Sequence, residues 1–222
     1  MKVAALWSGG KDSSLATYKA IQNKLDVALL ANFIWEKPSV AHAINILRLQ
    51  AEALQKPNLE IHVKEPYFEE YHKAIIKLNQ DYGIEAVVTG DITIVDSFHG
   101  NWVTNVCKGT GVEVINPLWE FPRTKVLEEL IDSGFKPMFT CVKEPWFTQD
   151  WLGRTLDAQA VKDLNDLHTK NGVDLAGEMG EYHTMVLDAP FFKKKIKITK
   201  FTKEKRDEAF YLNPTEASLE PK

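Results

Sequence analysis

The stretch KVAALWSGGKDSSLATYKAIQ, residues 2–22, changes its period in the middle. Lys2–Trp7 is a short apolar run that reads as a buried strand, and Ser14–Ile21 reads as the first turns of a helix. Between them stands Ser8-Gly9-Gly10-Lys11-Asp12-Ser13. Two adjacent glycines let a backbone turn sharply and approach a ligand closely. A helix start then presents unpaired N–H groups and the positive end of a dipole, which suits a phosphate. Lys11 adds a point charge, and Ser8 and Ser13 add short hydroxyl donors. The spacing is not that of a Walker A loop. Counted back from Gly10-Lys11, that pattern would need glycine at Ala5 and Ser or Thr at Asp12.

Outward from this loop, strands and helices alternate. DVALLANFIW, residues 26–35, is a continuous apolar run typical of a central parallel strand. Pro38-Ser39 opens a helix with Val40, Ile44, Leu47, Ala51 and Leu54 on one face, and Pro57 closes it. A strand at 59–63, a helix at 67–82 stopped by Gly83, and a strand at 85–89 follow. The last strand runs straight into Gly90-Asp91-Ile92. A helix is expected over 97–111, a fifth strand at Val112–Asn116, and an amphipathic helix over 123–133. This alternation predicts an α/β fold of βαβ units with a parallel five-stranded sheet. Ligands of such sheets sit at the carboxyl ends of the strands, near the reversal of strand order. SGGKDS follows the first strand and GDI the fourth, so both belong on that edge. The pattern changes near residue 135. The reading divides the chain into a nucleotide-binding domain, 1–134, and a smaller α+β unit, 135–222, over the mouth of the sheet. That unit has a strand at 136–147, a helix within 154–168, a basic alternating strand with DEAFYLN as hairpin partner, and a polar tail frayed from Pro214.

Length and composition fit this architecture. The 222 residues are 44% hydrophobic and 26% charged, ordinary for a globular chain able to bury a core. A net charge of −4 argues against generic nucleic-acid binding. No apolar run is long enough to span a bilayer, and Met1 leads directly into the first strand, leaving no room for a leader. With only Cys107 and Cys141, the composition points to a reducing cytoplasm rather than a disulfide framework.

SGGKDS after a first strand resembles the PP-loop of the N-type ATP pyrophosphatases. Further along stand RLQAEALQKP at 48–57, GDI at 90–92, NPLW at 116–119, WLGRTLD at 151–157 and GEMGEYHTMVLDAPFF at 177–192. In that order these resemble the diphthine–ammonia ligase (diphthamide synthase) family, a branch of the PP-loop enzymes, along nearly the whole chain. The resemblance implies a Rossmann-like, adenine nucleotide alpha hydrolase-like fold and an ATP-dependent amidation with ATP and Mg2+. A carboxylate is activated as an acyl-adenylate, pyrophosphate leaves, and ammonia attacks. In characterised members the acceptor is diphthine, a modified histidine on elongation factor 2. Methionine stands in the middle of GEMGE where glycine is common, and His183 stands where other members place glutamate.

On this reading Ser8, Gly9, Gly10, Lys11, Asp12, Ser13, Gly90 and Asp91 hold the nucleotide, and Asp12 and Asp91 orient magnesium. Lys11, Asp12, Glu178, Glu181 and His183 are the catalytic candidates, the last three for ammonia or the acceptor. Each has a plainer reading. Asp12 suits a first helical turn, Asp91 a strand-end turn, and the acids of GEMGE a solvated glycine turn. Arg154 suits either a phosphate or a structural ion pair. The isolated cysteines suit inert buried thiols better than sulfur transfer to RNA. The eight basic residues of KKKIKITKFTKEKR, 193–206, suit a half-buried edge strand better than an RNA grip. Two rival functions stay open: the same chemistry on a small-molecule carboxylate or a transfer-RNA base, and a non-catalytic adenine-nucleotide sensor. A homodimer is one assembly consistent with the sequence.

Overall fold

The structure, a computed structural model, describes residues 1–36, 41–93 and 101–222. In chain order its strands are β1 (Lys2–Leu6), β2 (Asp26–Trp35), β3 (Asn58–Val63), β4 (Ala86–Val88), β5 (Glu113–Ile115), β6 (Lys136–Lys143), β7 (Tyr182–Asp188), β8 (Lys195–Arg206) and β9 (Ala209–Glu220). Its helices are α1 (Lys11–Gln22), α2 (Ile44–Leu54), α3 (Tyr67–Tyr82), α4 (Trp102–Cys107), α5 (Arg123–Asp132) and α6 (Ala158–Asn171). Two compact units share these elements. The first comprises 1–8, 12–38 and 56–120; the second comprises 9–11, 39–55 and 121–222. The expected boundary at 134/135 therefore falls inside the second unit, between α5 and β6.

The first unit is built on a parallel five-stranded sheet in the order β3-β2-β1-β4-β5. The α/β, Rossmann-like arrangement is the one that the strand–helix alternation demands. Val3, Ala4, Ala5, Leu30, Val87 and Val88 are all 0–1% exposed, so the centre of the sheet is covered on both faces. Ile75 and Leu78 of α3 and Val106 and Cys107 of α4 join one face of this core. β1 pairs with β2 on one side and β4 on the other, so strand order reverses beside β1. The loops after β1 and β4 meet there, as the rule for such sheets requires.

The second unit has an antiparallel sheet in the order β7-β6-β9-β8. Phe139, Phe147, Trp151 and Tyr182 form its aromatic centre, with ring centroids 5.0–5.8 Å apart. α2 belongs here because its polar groups reach this unit's strands. Asn45 Nδ2 donates to Pro214 O at 3.2 Å, and the Lys193 N–H donates to Ala53 O at 2.7 Å. The expected start of α2 at Pro38-Ser39 lies outside the described residues, and the helix proper begins at Ile44. Of the helix expected over 97–111, residues 97–100 lie outside the described residues. In the remainder only Trp102–Cys107 is helical, as α4, capped by Asn101, whose side chain accepts from Thr104 N–H at 3.0 Å.

One expectation is overturned. The tail from Pro214 is not frayed, because β9 continues to Glu220 and pairs with β8 along its length. Two forces extend it. Leu212 and Pro214 are buried together with Ile196. Lys197 meets Glu220 at 2.9 Å, and Lys200 meets Glu216 at 2.6 Å across the strands. Such exposed pairs contribute little singly, but they remove the repulsion within the lysine run. The basic strand is thus an edge strand whose charge is largely answered by carboxylates. Truncation after Asn213 is expected to lower Tm by more than about 4 °C in a thermal melt. An unchanged melting curve would restore the frayed tail.

Candidate functional site

Within the first unit, the Trp7 N–H donates to Ala31 O at 2.9 Å and carries β1 to the edge of the sheet. Ser8 Oγ donates to Ser13 Oγ at 3.1 Å, closing the loop over its glycines. Thr17 Oγ1 donates to Ser13 O at 2.7 Å, tying that residue into α1. Gly90, at the end of β4, lies against the same loop. A Cβ there would stand 2.5 Å from Asp12 C and 2.6 Å from Ser13 N, backbone atoms that cannot move aside. The two glycine motifs that the sequence separates by about eighty residues therefore touch, and Gly90 is glycine because of that approach.

Asp91 follows directly. Its carboxyl is pushed above the ordinary carboxylate range chiefly by burial, while a Thr89 hydrogen bond opposes this and the nearby Asp12 charge adds to it. Two carboxylates within electrostatic reach of one another form a donor set for a hard cation that completes its shell with phosphate oxygens and water. Among the described residues no group of three or more His, Cys, Asp or Glu could hold a metal unaided. The Asp12–Asp91 pair fits an ion that arrives with a nucleotide, and does not fit a permanently caged metal.

Within the second unit, Gly9, Gly10 and Lys11 are held by α2 and β7. Gly9 O accepts from Gln50 Nε2 at 2.9 Å and from Val186 N–H at 2.9 Å. The same Gln50 nitrogen donates to Val186 O at 2.8 Å, and Gln50 is wholly buried. Gly9 sits at φ +73°, and a Cβ would come 2.3 Å from Gln50 Oε1. The backbone N–H of Lys11 donates to Thr184 Oγ1 at 3.1 Å. Its ammonium is 2.5 Å from Ala176 O and 5.2 Å from the centroid of the Tyr182 ring. Lys11 is only 4% exposed, so its charge is directed at the loop preceding β7.

That loop, residues 174–181, is organised by two carboxylates. Asp174 Oδ1 accepts from Ala176 N–H at 2.8 Å and Glu178 N–H at 3.4 Å, while its Oδ2 pairs with Arg123 Nε at 3.3 Å. Glu181 is 3% exposed; its Oε1 accepts from Asp174 N–H and its Oε2 from Met179 N–H, each at 3.0 Å. The two bonds make Glu181 a brace across the loop's ends. Tyr182 Oη donates to Leu175 O at 2.7 Å. Gly177, at φ +71°, lies where a Cβ would meet the Tyr182 ring at 2.9 Å. Glu178 stays on the loop, partly exposed.

His183 lies next along β7, with the His42 ring edge-on at 5.4 Å. Burial pushes its pKa down to about 3, and the positive charges of His42, Lys11 and Lys143 add to the effect. The ring is therefore neutral at physiological pH. A neutral ring with so low a pKa is a weak base.

The remaining candidates take structural places. Arg154 pairs with Asp163 at 2.5 Å and lies over the Trp151 ring at 4.6 Å. Burial raises both thiols, Cys107 and Cys141, to about 11, so neither supplies a thiolate for sulfur transfer. Sequence reasoning missed Gln50, Asp174, Thr184 and the bracing role of Glu181. The family-like strings RLQAEALQ and GEMGEYHT contain three of these four, but a helical period cannot show which polar residue turns inward.

Two measurements test this geometry. A group whose folded pKa is depressed adds stability above its unfolded value, lost as pH falls towards the folded value. His183 should therefore make the fold acid-labile between its ordinary 6.5 and about 3. His183→Gln is expected to flatten the dependence of Tm on pH across that window; a parallel curve would contradict the burial of the ring. Glu181→Gln replaces an acceptor oxygen with an amide that faces a backbone N–H. It is expected to lower Tm, since an unsatisfied buried donor costs about 1–3 kcal/mol. Lost turnover at full thermal stability would instead make Glu181 a reacting group.

Comparison with known proteins places the sequence in a family. Residues 1–114 match the family model described as the diphthamide synthase N-terminal domain, and residues 122–217 match the diphthamide synthase C-terminal domain. The diphthine–ammonia ligase of Schizosaccharomyces pombe is 31% identical over 226 residues, covering 90% of this chain and 36% of that protein. The diphthine–ammonia ligase of Mus musculus is 30% identical over 222 residues, covering 88% and 82%. This chain thus spans about a third of the fission-yeast relative and most of the mouse one. Among solved structures, a 4-thiouridine synthetase–RNA complex with bound ATP aligns over 84% of the chain at 16% identity and a TM-score of 0.43.

Proposed function

The chain belongs to the diphthine–ammonia ligase family, and from that premise we propose that it forms an amide from a carboxylate, ammonia and ATP, with diphthine on elongation factor 2 as acceptor. In the first step a carboxylate oxygen attacks the α-phosphorus of ATP, and the bond to the β-phosphate bridge breaks. Pyrophosphate leaves with the electron pair, and an acyl-adenylate remains. Ammonia then attacks the acyl carbon, AMP departs, and one proton is released as the amide forms. The cytoplasm is the compartment that fits this substrate and two buried thiols.

The observation that carries the reading is the contact of Gly90 with the Asp12–Ser13 backbone, which joins the phosphate loop to a second carboxylate. Ser8, Gly9, Gly10 and Ser13 would receive the phosphates through N–H and hydroxyl groups at the start of α1. Lys11 would stabilise charge developing on the leaving pyrophosphate, using an ammonium that carries three N–H donors. Asp12 and Asp91 would hold magnesium, which neutralises phosphate charge when bound. Glu178, a partly exposed acid of the 174–181 loop, is the candidate for steering ammonia. Glu181 acts through the loop it braces, and neutral His183 acts as a hydrogen-bond partner for the acceptor. A transfer-RNA acceptor fits less well, since the chain is acidic and lysines of its basic strand are paired.

The test is product analysis with acceptor, ammonia and labelled ATP. AMP and pyrophosphate are expected in equal amounts with the amide, whereas ADP and phosphate would refute the chemistry. Lys11→Ala is expected to slow turnover by on the order of a hundredfold. Asp91→Asn removes a carboxylate whose folded pKa is raised, so it lifts a penalty that the fold bears above that pKa. It is expected to raise Tm at neutral pH, with the gain fading in acid, while amidation falls by at least about tenfold. A variant that loses Tm, or keeps full activity, would remove Asp91 from the site.

A further inference from the structure

The Lys11 ammonium rests in a small site built wholly from the second unit. It lies 2.5 Å from Ala176 O and 5.2 Å from the centroid of the Tyr182 ring. Lys11, Ala176 and Tyr182 are all buried, none more than 4% exposed. Two features suit this site to a small cation. The loop 174–181 turns its N–H groups inward: Asp174 Oδ1 accepts from Ala176 and Glu178, and the Glu181 carboxylate accepts from Asp174 and Met179. With those donors engaged, the loop meets the Lys11 ammonium with a carbonyl oxygen. The Tyr182 ring is pinned by the bond from its Oη to Leu175 O at 2.7 Å, which keeps the ring beside the cation. A carbonyl oxygen and an aromatic face both attract positive charge, and more strongly where little water reaches.

On the ligase reading the same lysine is drawn to the leaving pyrophosphate, an anion that outweighs a neutral carbonyl as a partner. We infer that the Ala176–Tyr182 site binds the ammonium ion that supplies the amide nitrogen, and that Lys11 occupies it until nucleotide draws its side chain away. A lysine head is an ammonium on one carbon stem, so the free ion reproduces its charge and its N–H donors. Water has the size for the site but no charge to set against the ring. Bulky amines are excluded, because the walls are buried backbone and side chain. Glu178 stands two residues beyond Ala176 and partly exposed, so the loop that binds the cation also carries an acid nearer its surface. On leaving the site, ammonium gives one proton to water, and the ammonia so formed attacks the acyl carbon. The resulting order is nucleotide first and ammonium second. The role as nitrogen donor rests on the ligase reading, whereas the affinity of the site for ammonium does not.

The test is thermal melting of Lys11→Met in the full chain, a change that keeps most of the side chain's length and removes its charge. In about 100 mM ammonium chloride this variant is expected to melt at least about 2 °C higher than in sodium chloride of the same concentration. The unsubstituted chain without nucleotide is expected to melt alike in the two salts. It should gain the difference once α,β-methylene ATP, which cannot release pyrophosphate, is bound. Equal melting of Lys11→Met in the two salts would overturn the proposal. Potassium chloride matching ammonium chloride would also overturn it, making the site one for a monovalent metal. If Lys11→Met does not fold, the unsubstituted chain carries the test by calorimetry. Heat of ammonium binding seen only with α,β-methylene ATP supports the site, and no heat, or the same heat without nucleotide, overturns it. The inference and the ligase reading fail separately. ADP among the products would refute the ligase and leave the ammonium-dependent Tm of Lys11→Met standing. AMP and pyrophosphate formed by a chain with no ammonium-specific melting or heat would refute the site alone.

Discussion

A buried amide fixes the geometry of the loop after β1. Gln50 Nε2 donates to Gly9 O and to Val186 O, and the Val186 N–H returns a second bond to the same glycine carbonyl. In a trans peptide the carbonyl and the following N–H point to opposite sides. Holding the Gly9 carbonyl with two donors therefore fixes the plane of the Gly9–Gly10 peptide and turns the Gly10 N–H the other way. That orientation is set by a side chain 41 residues distant in sequence. Gly9 pays for that fixity with its own side chain, since its φ of +73° and the 2.3 Å approach to Gln50 leave no space for a Cβ.

The loop preceding β7 solves a similar problem with opposite charges. Its backbone N–H groups turn inward onto Asp174 and Glu181, and one of its carbonyls, Ala176 O, receives the Lys11 ammonium. Buried carboxylates bonded to backbone N–H groups stabilise a fixed conformation rather than take part in proton exchange. Acids beside glycines invite a reading as reacting groups. Here the buried one, Glu181, is a brace.

Much of this was legible in the sequence, and the rest was not for definable reasons. The parallel sheet followed from apolar runs and helical periods, and the meeting of SGGKDS with GDI followed from strand order alone. Gln50 was invisible because periodicity reports which residues are apolar, and a buried glutamine satisfied by two carbonyls leaves no such trace. The role of Glu181 depended on which N–H groups its oxygens met, which no spacing encodes. Polarity alone reads as fraying at the end of the chain, where β9 in fact continues to Glu220. Lysines and glutamates that look solvated one strand at a time become cross-strand partners once β8 and β9 are paired.

The second unit is assembled from residues 9–11, 39–55 and 121–222, three pieces of chain with the first unit's segments between them. On a ribosome, its earliest piece emerges long before its last strand, so this unit cannot finish folding until nearly the whole chain has been made. Nor can it be passed between genes as a detachable C-terminal module. A recombination point anywhere between residues 11 and 121 would part α2, or the glycines that Gln50 holds, from the strands they bind. The interleaving makes the two halves of the sequence inherit and evolve as one object.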